Sequence, residues 1–299
     1  MSQQVKHMDN DCSISLCVCT MNRPDDLNRC LGSVFQAIDL PDEVIVSDDS
    51  PVPTTTQAIV AKYPTVIYQS GPQRGLSSNR NACINRAKSR YIVFIDDDVQ
   101  VSPEFIAVAR KLVIVSVPGI ILTGYEMNHS YAMQHQGTVR KVVPQNANFW
   151  GFQQIPVRDE YRSIVINATI FPRALFEQVR FDEHLRYGCD EIDIARHATS
   201  LGYRILYQDN LYVHHYPSLI NREQYKHYAH ASRLYSTTKA YWQYEHFWLK
   251  ALVYLLLAPF QLAGSGLKRG DFSMVWKAMR ATRMACRYLL TPSKPQQAN

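Results

Sequence analysis

The chain predicts an α/β fold with a largely parallel sheet, and three observations carry that expectation. Short apolar, β-prone runs alternate with helical patterns through the N-terminal third, the rhythm of successive βαβ units. The run Tyr91-Ile92-Val93-Phe94-Ile95 is apolar throughout, as a strand buried on both faces requires. It runs straight into Asp96-Asp97-Asp98, and open α/β sheets bind ligands at the carboxyl ends of their strands.

Residues 14–20 form the first expected strand, followed by a turn at Met21-Asn22-Arg23-Pro24. Pro24 suits the first turn of a helix, where its missing N–H costs nothing. Leu27, Leu31, Val34, Phe35 and Ile38 supply that helix with its apolar side. A second strand is expected over 44–46, a helix over 55–63, a strand over 66–69, a loop over 71–75 and a helix over 76–88. The strand at 91–95 precedes a helix over 105–115 and a strand over 119–123. Residues 128–156 are rich in Asn, Gln, Gly and aromatics with weak periodicity, and read as a long connection or a loop over a site. A short proline-opened helix is expected over 172–179, a helix over 190–201 stopped by Gly202, and two short strands over 203–207 and 211–215.

Beyond Pro217 the composition changes, which divides the chain into an expected catalytic domain over 1–218 and a helical appendage over 219–299. Residues 221–244 are polar and tyrosine-rich. Residues 247–263 are strongly apolar but broken by Lys250, Pro259 and Gln261, too short for the 20 or so apolar residues of a membrane span. In 271–290, Val275, Met279, Cys286 and Leu290 are expected on one side, with Arg280, Arg283 and Arg287 on another. This tail reads either as a helical pair packed on the catalytic domain or as a basic, apolar element lying at a lipid interface.

With 299 residues, 46% hydrophobic and 19% charged, the chain is long and apolar enough for a packed globular protein. A net charge of +6 is only mildly basic, and its basic cluster lacks paired stacking aromatics, which argues against nucleic acid. Seven cysteines without a C-x-x-C pair offer no zinc pattern. The polar start has no apolar signal core. A reduced, cytoplasmic setting is expected, at the inner face of the membrane if the tail binds lipid.

The acidic triplet is the chemical centre of this reading. Adjacent carboxylates repel one another unless a cation neutralises them, and Mg2+ or Mn2+ takes carboxylates together with phosphate oxygens. Ser47-Asp48-Asp49-Ser50 follows the second strand. Its carboxylates suit a base imide or ribose hydroxyls, or equally an ordinary helix cap. Gly75-Leu76-Ser77-Ser78-Asn79-Arg80-Asn81 opens a helix, where free N–H groups attract an anion and Arg80 adds charge. Gly188-Cys189-Asp190-Glu191-Ile192-Asp193 opens another, where the acids either cap the helix or provide a general base. His214-His215 ends a strand, so one ring of the pair can face a metal held by Asp98.

In this order, the segments SLCVCTMN (15–22), VIVSDDS (44–50), the stretch 75–98 ending in YIVFIDDD, FDEHLRYGCDEID (181–193) and GYRILYQDNLYVH (202–214) resemble family 2 of the nucleotide-sugar glycosyltransferases, over about residues 13 to 216. The resemblance implies a three-layer αβα sheet of the GT-A type with a mostly parallel mixed sheet, plus C-terminal helices. It implies a UDP, dTDP or GDP sugar as donor, Mg2+ or Mn2+ as cofactor, and a hydroxyl of a glycan or lipid-linked acceptor in cell-envelope polysaccharide synthesis. Donor contacts fall on Thr20, Asn22, Arg23, Asp48, Asp49, Gly75, Arg80, Asp96 and Asp97, and metal ligation on Asp98, Asp96 and His214. Family members usually carry Glu-Asp where this chain has Asp190-Glu191. The base of an inverting displacement therefore falls on Glu191, with Asp190 the other choice. A sugar-phosphate nucleotidyltransferase and a non-catalytic nucleotide-sugar-binding module are the alternatives. The first would need a Gly-rich basic loop where this chain has Met21-Asn22-Arg23-Pro24.

Overall fold

A computed structural model describes residues 11–129, 139–156, 160–217 and 222–291. Strands β1 (Ile14–Thr20), β2 (Glu43–Asp48), β3 (Val66–Ser70) and β4 (Tyr91–Asp96) lie parallel. Helices α1 (Pro24–Phe35), α2 (Thr54–Val60) and α3 (Leu76–Arg86) connect them. Five more strands complete a nine-stranded sheet among the described residues: β5 (Val99–Val101), β6 (Ile120–Asn128), β7 (Arg140–Val142), β10 (Thr169–Pro172) and β11 (Arg204–His215). The order is β3-β2-β1-β4-β10-β6-β11-β5, with β7 on β6. β5, β7 and β10 run antiparallel to their neighbours, so the sheet is mixed but mostly parallel. β8 (Asn146–Ala147) and β9 (Gln153–Gln154) pair separately.

Helices cover both faces. Leu27, Leu31 and Val34 of α1 and Phe105, Ile106, Ala109 and Val113 of α4 (Phe105–Val115) pack on Leu16, Val18, Val93 and Ile95. On the other face, Cys83 and Ile84 of α3 and Ile194, Ala195 and Ala198 of α5 (Asp190–Ser200) pack on Cys17, Cys19, Phe94 and Phe171. Parallel register sets Cys19 beside Asp96 and Thr20 beside Asp48. Three strands therefore end at one edge, and the polar residues that follow them are delivered to one place.

Several elements differ from the sequence reading, β5 among them, which was not expected. The helix expected over 172–179 is the end of β10 followed by a 3-10 turn, Arg173–Glu177. The strand expected over 119–123 extends to Asn128. The two strands expected over 203–215 are one, β11, bulged between Tyr207 and Tyr212. Gly124 makes that bulge possible, because a Cβ there would lie 1.7 Å from the Leu211 carbonyl oxygen. Within the expected loop 128–156, short strands occur at β7, β8 and β9, while 130–138 lies outside the described residues.

The C-terminal part comprises α6 (Arg222–Lys239), a π turn (Ala240–Tyr244), α7 (Trp248–Leu267) and α8 (Ser273–Leu290). The broken apolar segment is a continuous 20-residue helix that passes through Pro259. It is long and apolar enough to cross a membrane by length and composition, yet Ala251, Tyr254, Ala258 and Leu262 are buried against the protein. In α8 the buried face is Met274, Ala278, Ala281 and Ala285. Met279 and Leu290, expected on a side apart from the arginines, are exposed as the arginines are.

Candidate active site

The three aspartates at the end of β4 take different sets of partners, with Arg23 shared between Asp97 and Asp98. The Asp96 carboxylate accepts from Arg80 at 2.9 Å, and its backbone N–H donates to Asn167 Oδ1 at 2.9 Å. Asp97 is buried between Thr20 Oγ1 at 2.8 Å and the Arg23 guanidinium at 2.9 Å. Burial pushes its pKa up to about 7 against the opposing charge of Arg23. Asp98 lies 3.2 Å from His215 Nε2 and 3.5 Å from Arg23.

His215 bridges Asp98 and Glu126, its Nδ1 lying 3.0 Å from Glu126 Oε1. Burial opposes its charge, but the bonds to Asp98 and Glu126 outweigh that and hold its pKa up to about 10. Glu126 is in turn contacted by Asn128 at 3.2 Å and Asn167 at 3.5 Å. With a divalent ion at Asp98, His215 would give up its Nε2 proton and keep Nδ1 anchored on Glu126, in the carboxylate–histidine pattern that orients a ligating ring. His214, the expected ligand, faces away: its Nδ1 meets His129 Nε2 at 3.0 Å. Adjacent strand residues point to opposite faces, and pairing of His215 with Val99 of β5 puts His215, not His214, beside Asp98.

Among the described residues no three metal-binding side chains stand ready as a cage. Asp98 and His215 nonetheless offer an oxygen and a nitrogen donor, and Asp96 a further oxygen nearby. That set suits an ion that fills its remaining positions with water and phosphate oxygens.

Two cavities meet here, and Leu76, Asp96 and His215 line both. The first, about 220 Å³, is bounded by Thr20, Arg23, Asp49, Gly75, Asn79 and the acidic triplet. Asp49 accepts from the Gln73 N–H at 2.9 Å. Asp48 is tied to the Ser50 N–H at 2.9 Å and Tyr68 Oη at 3.2 Å, and does not line the cavity. Asn22 uses its N–H on Ser50 at 2.8 Å, holding the two loops together. Gly71 permits this crowding, since a Cβ would fall 2.1 Å from Asp49 Oδ1. Asn79 Oδ1 is buried with no hydrogen-bond partner among the described residues, although its amide donates to the Ser47 carbonyl at 3.0 Å. An unpaired buried acceptor is costly unless a ligand donates to it.

The second cavity, about 230 Å³, is lined by Glu126, Val142, Gln145, Gln153, Asn167, Asp190 and Glu191. Asp190 is committed to an ion pair with the buried Arg80, which also holds Asp96. Arg80 is therefore a buried strut between β4 and α5, not a charge added to the N-terminus of α3. Glu191 accepts a long bond from the Ile166 N–H at 3.4 Å. Burial, then the negative charges of Asp190 and Glu126, push its pKa up to about 8. Among the expected residues, Thr20, Arg23, Asp49, Gly75, Arg80, Asp96, Asp97, Asp98, Asp190 and Glu191 converge on the two cavities. Asp48 and Asn22 support the walls, and His214 stands outside. Glu126 and Asn79 were not singled out from sequence. Asn79 lay within the helix-opening motif, whereas Glu126 carries no local signal.

The sequence matches the model of Glycosyl transferase family 2 over residues 15–178, more than half of its length, and the chain belongs to that family. No curated protein matches it. Among solved structures it is similar to GalNAc-T7 with UDP, GalNAc and Mn2+, at 14% identity and TM-score 0.62, covering 91% of this chain and 55% of that one. It is similar to the mannosyltransferase PcManGT from Pyrobaculum calidifontis in complex with GDP-Man and Mn2+, at 13% identity and TM-score 0.54, over 91% and 86% of the two chains. It is also similar to S. aureus TarS 1–349, at 17% identity and TM-score 0.57, over 91% and 82%. The chain thus spans about half the length of the first of these. The shared fold is the GT-A type of nucleotide-sugar transferases.

Proposed function

We propose that the protein is an inverting, metal-dependent glycosyltransferase. It moves a sugar from a UDP, dTDP or GDP sugar to a hydroxyl of a glycan or lipid-linked acceptor in cell-envelope polysaccharide synthesis. One observation carries the reading: two cavities share the Asp96–His215 wall, with Asp98 facing one and Glu191 the other. Donor and acceptor entering from the two sides would meet across that wall, as in-line attack requires.

Asp49 and the unpaired Asn79 Oδ1 take the nucleoside end by accepting its N–H and O–H groups. Asp98 and His215, with Asp96 nearby, would hold Mg2+ or Mn2+, which supplies Lewis-acid stabilisation of the departing diphosphate. Arg23 stands beside Asp97 and Asp98 and adds positive charge at the same place. Glu191 accepts the proton of the acceptor hydroxyl as the new bond forms. Asp190 keeps Arg80 in line and positions α5. The seven cysteines are free, in keeping with a reducing, cytoplasmic setting.

The test is a panel of nucleotide sugars incubated with Mn2+ or Mg2+, scored for donor hydrolysis and for the anomeric configuration of the product. Turnover with inversion that Asp98→Ala abolishes is expected. Failure of UDP, dTDP and GDP compounds alike to bind in the presence of either metal would sink the reading.

A further inference from the structure

The C-terminal hairpin leaves an apolar face uncovered. Leu249, Leu252, Val253, Leu256, Leu257, Phe260 and Leu267 of α7 are all exposed, Phe260 to 77%. Their spacing of three, four and seven puts them on one side of the helix. The opposite side, with Tyr254 and Ala258, is buried against the protein. On α8, Trp276, Arg280, Arg283 and Arg287 follow the same spacing on the outward side, and Trp276 is 75% exposed. Three of the four tryptophans, Trp242, Trp248 and Trp276, are exposed in this region. Residues 248–291 carry seven lysines and arginines against one carboxylate, Asp271.

Each of these features has a separate physical meaning. A continuous exposed apolar face marks an interaction surface. Tryptophan favours the boundary between water and hydrocarbon. Outward arginines attract anionic headgroups. A protein partner would account for the apolar face but not for the excess of basic charge and tryptophan around it, which remains although Lys250 pairs with Glu245 and Lys277 with Asp271. We propose that α7 and α8 dock the protein on an anionic lipid surface. α7 lies in the plane of the interface with Leu256 and Phe260 inserted, and it does not span the bilayer because its other side is committed to the protein.

The docking helices also support the second cavity. Phe149 and Trp150 pack with Tyr241 and Tyr254, and the same short connection leads to Gln153 on the cavity wall. Resting on the acceptor reading of that cavity, this arrangement suits an acceptor presented at a membrane.

Flotation of the full-length protein with phosphatidylcholine vesicles, containing or lacking phosphatidylglycerol, tests the proposal without any donor or metal. The protein should float with the anionic vesicles, about tenfold less with neutral ones, and less again at high salt. Leu256→Glu and Phe260→Glu should each cut flotation about tenfold while circular dichroism and vesicle-free donor turnover are unchanged. No flotation with anionic vesicles, or equal flotation of the variants, overturns it. So does a dimer, seen by light scattering, that Phe260→Glu splits while nothing floats, since the face then belongs to a second copy. Loss of the catalytic reading would appear in the donor assay alone and leave flotation untouched.

Discussion

Glu191 and His215 show how position shifts the titration of ordinary side chains. A carboxylate must be ionised to accept a proton, and burial holds Glu191 largely protonated until about pH 8. The acidic limb of kcat/KM should therefore fall through about pH 8, with activity lost as pH drops. Glu191→Gln should cost about 10² to 10⁴ in kcat and remove that limb. Asp190→Asn removes a negative neighbour that raises Glu191, so the limb should move to lower pH. Stopped assays across a pH series check both. The histidine pair makes a second test. His215→Ala should raise the Mn2+ concentration for half-maximal activity about 10- to 100-fold, whereas His214→Ala, facing His129, should leave it within about twofold of the parent. An equal effect of the two substitutions, read from metal titrations, would contradict the geometry described for β11.

The contact between α5 and α6 holds the helix that carries Glu191, the proposed base. Lys239 Nζ donates to Asp182 at 2.6 Å and to Asp193 at 3.0 Å, and Tyr235 Oη donates to Asp182 at 2.6 Å. All are largely buried. Burial opposes the charge on Asp182, but His184 and Lys239 outweigh it and hold its pKa well below the usual carboxylate range. Its stabilisation is thus complete above the unfolded value of about 3.9 and is lost as pH falls below it. Lys239 is shifted the other way, burial being outweighed by Asp193 and Asp182. Its contribution is complete below about pH 10.4 and lost as pH rises through the folded value. Lys239→Met leaves two carboxylates without their cation and should cost about 3–5 kcal/mol at neutral pH, measured by urea unfolding. Unchanged stability would mean the pair contributes nothing net.

Leu185, next to the loop before α5, belongs to the same apolar cluster as Leu234, Tyr235, Tyr241 and Tyr254 of the C-terminal helices. Together with Lys239, that cluster ties the end of the chain to the helix that carries Asp190 and Glu191. A chain ending at residue 217 should therefore lose its single cooperative thermal transition and its donor turnover, as scanning calorimetry and the hydrolysis assay would show. Retention of both would make the C-terminal helices a true appendage.

How far this fold can be read from residues depends on how local each signal is. The βαβ rhythm, the Pro24 start of α1 and the apolar run into Asp96-Asp97-Asp98 are governed by periodicity and neighbouring residues, and each appears where its pattern puts it. β5, the 3-10 turn after β10 and the fusion of β11 were not legible, because pairing with distant strands overrides a short segment's own preference. Asp190 and Glu191 could be named together from their motif, but their different surroundings come from Arg80 and Ile166, far away in the chain. The same holds for the histidines. A strand's alternation says only that His214 and His215 face opposite sides, and the packing of β11 between β6 and β5 is what turns one of them toward the aspartates.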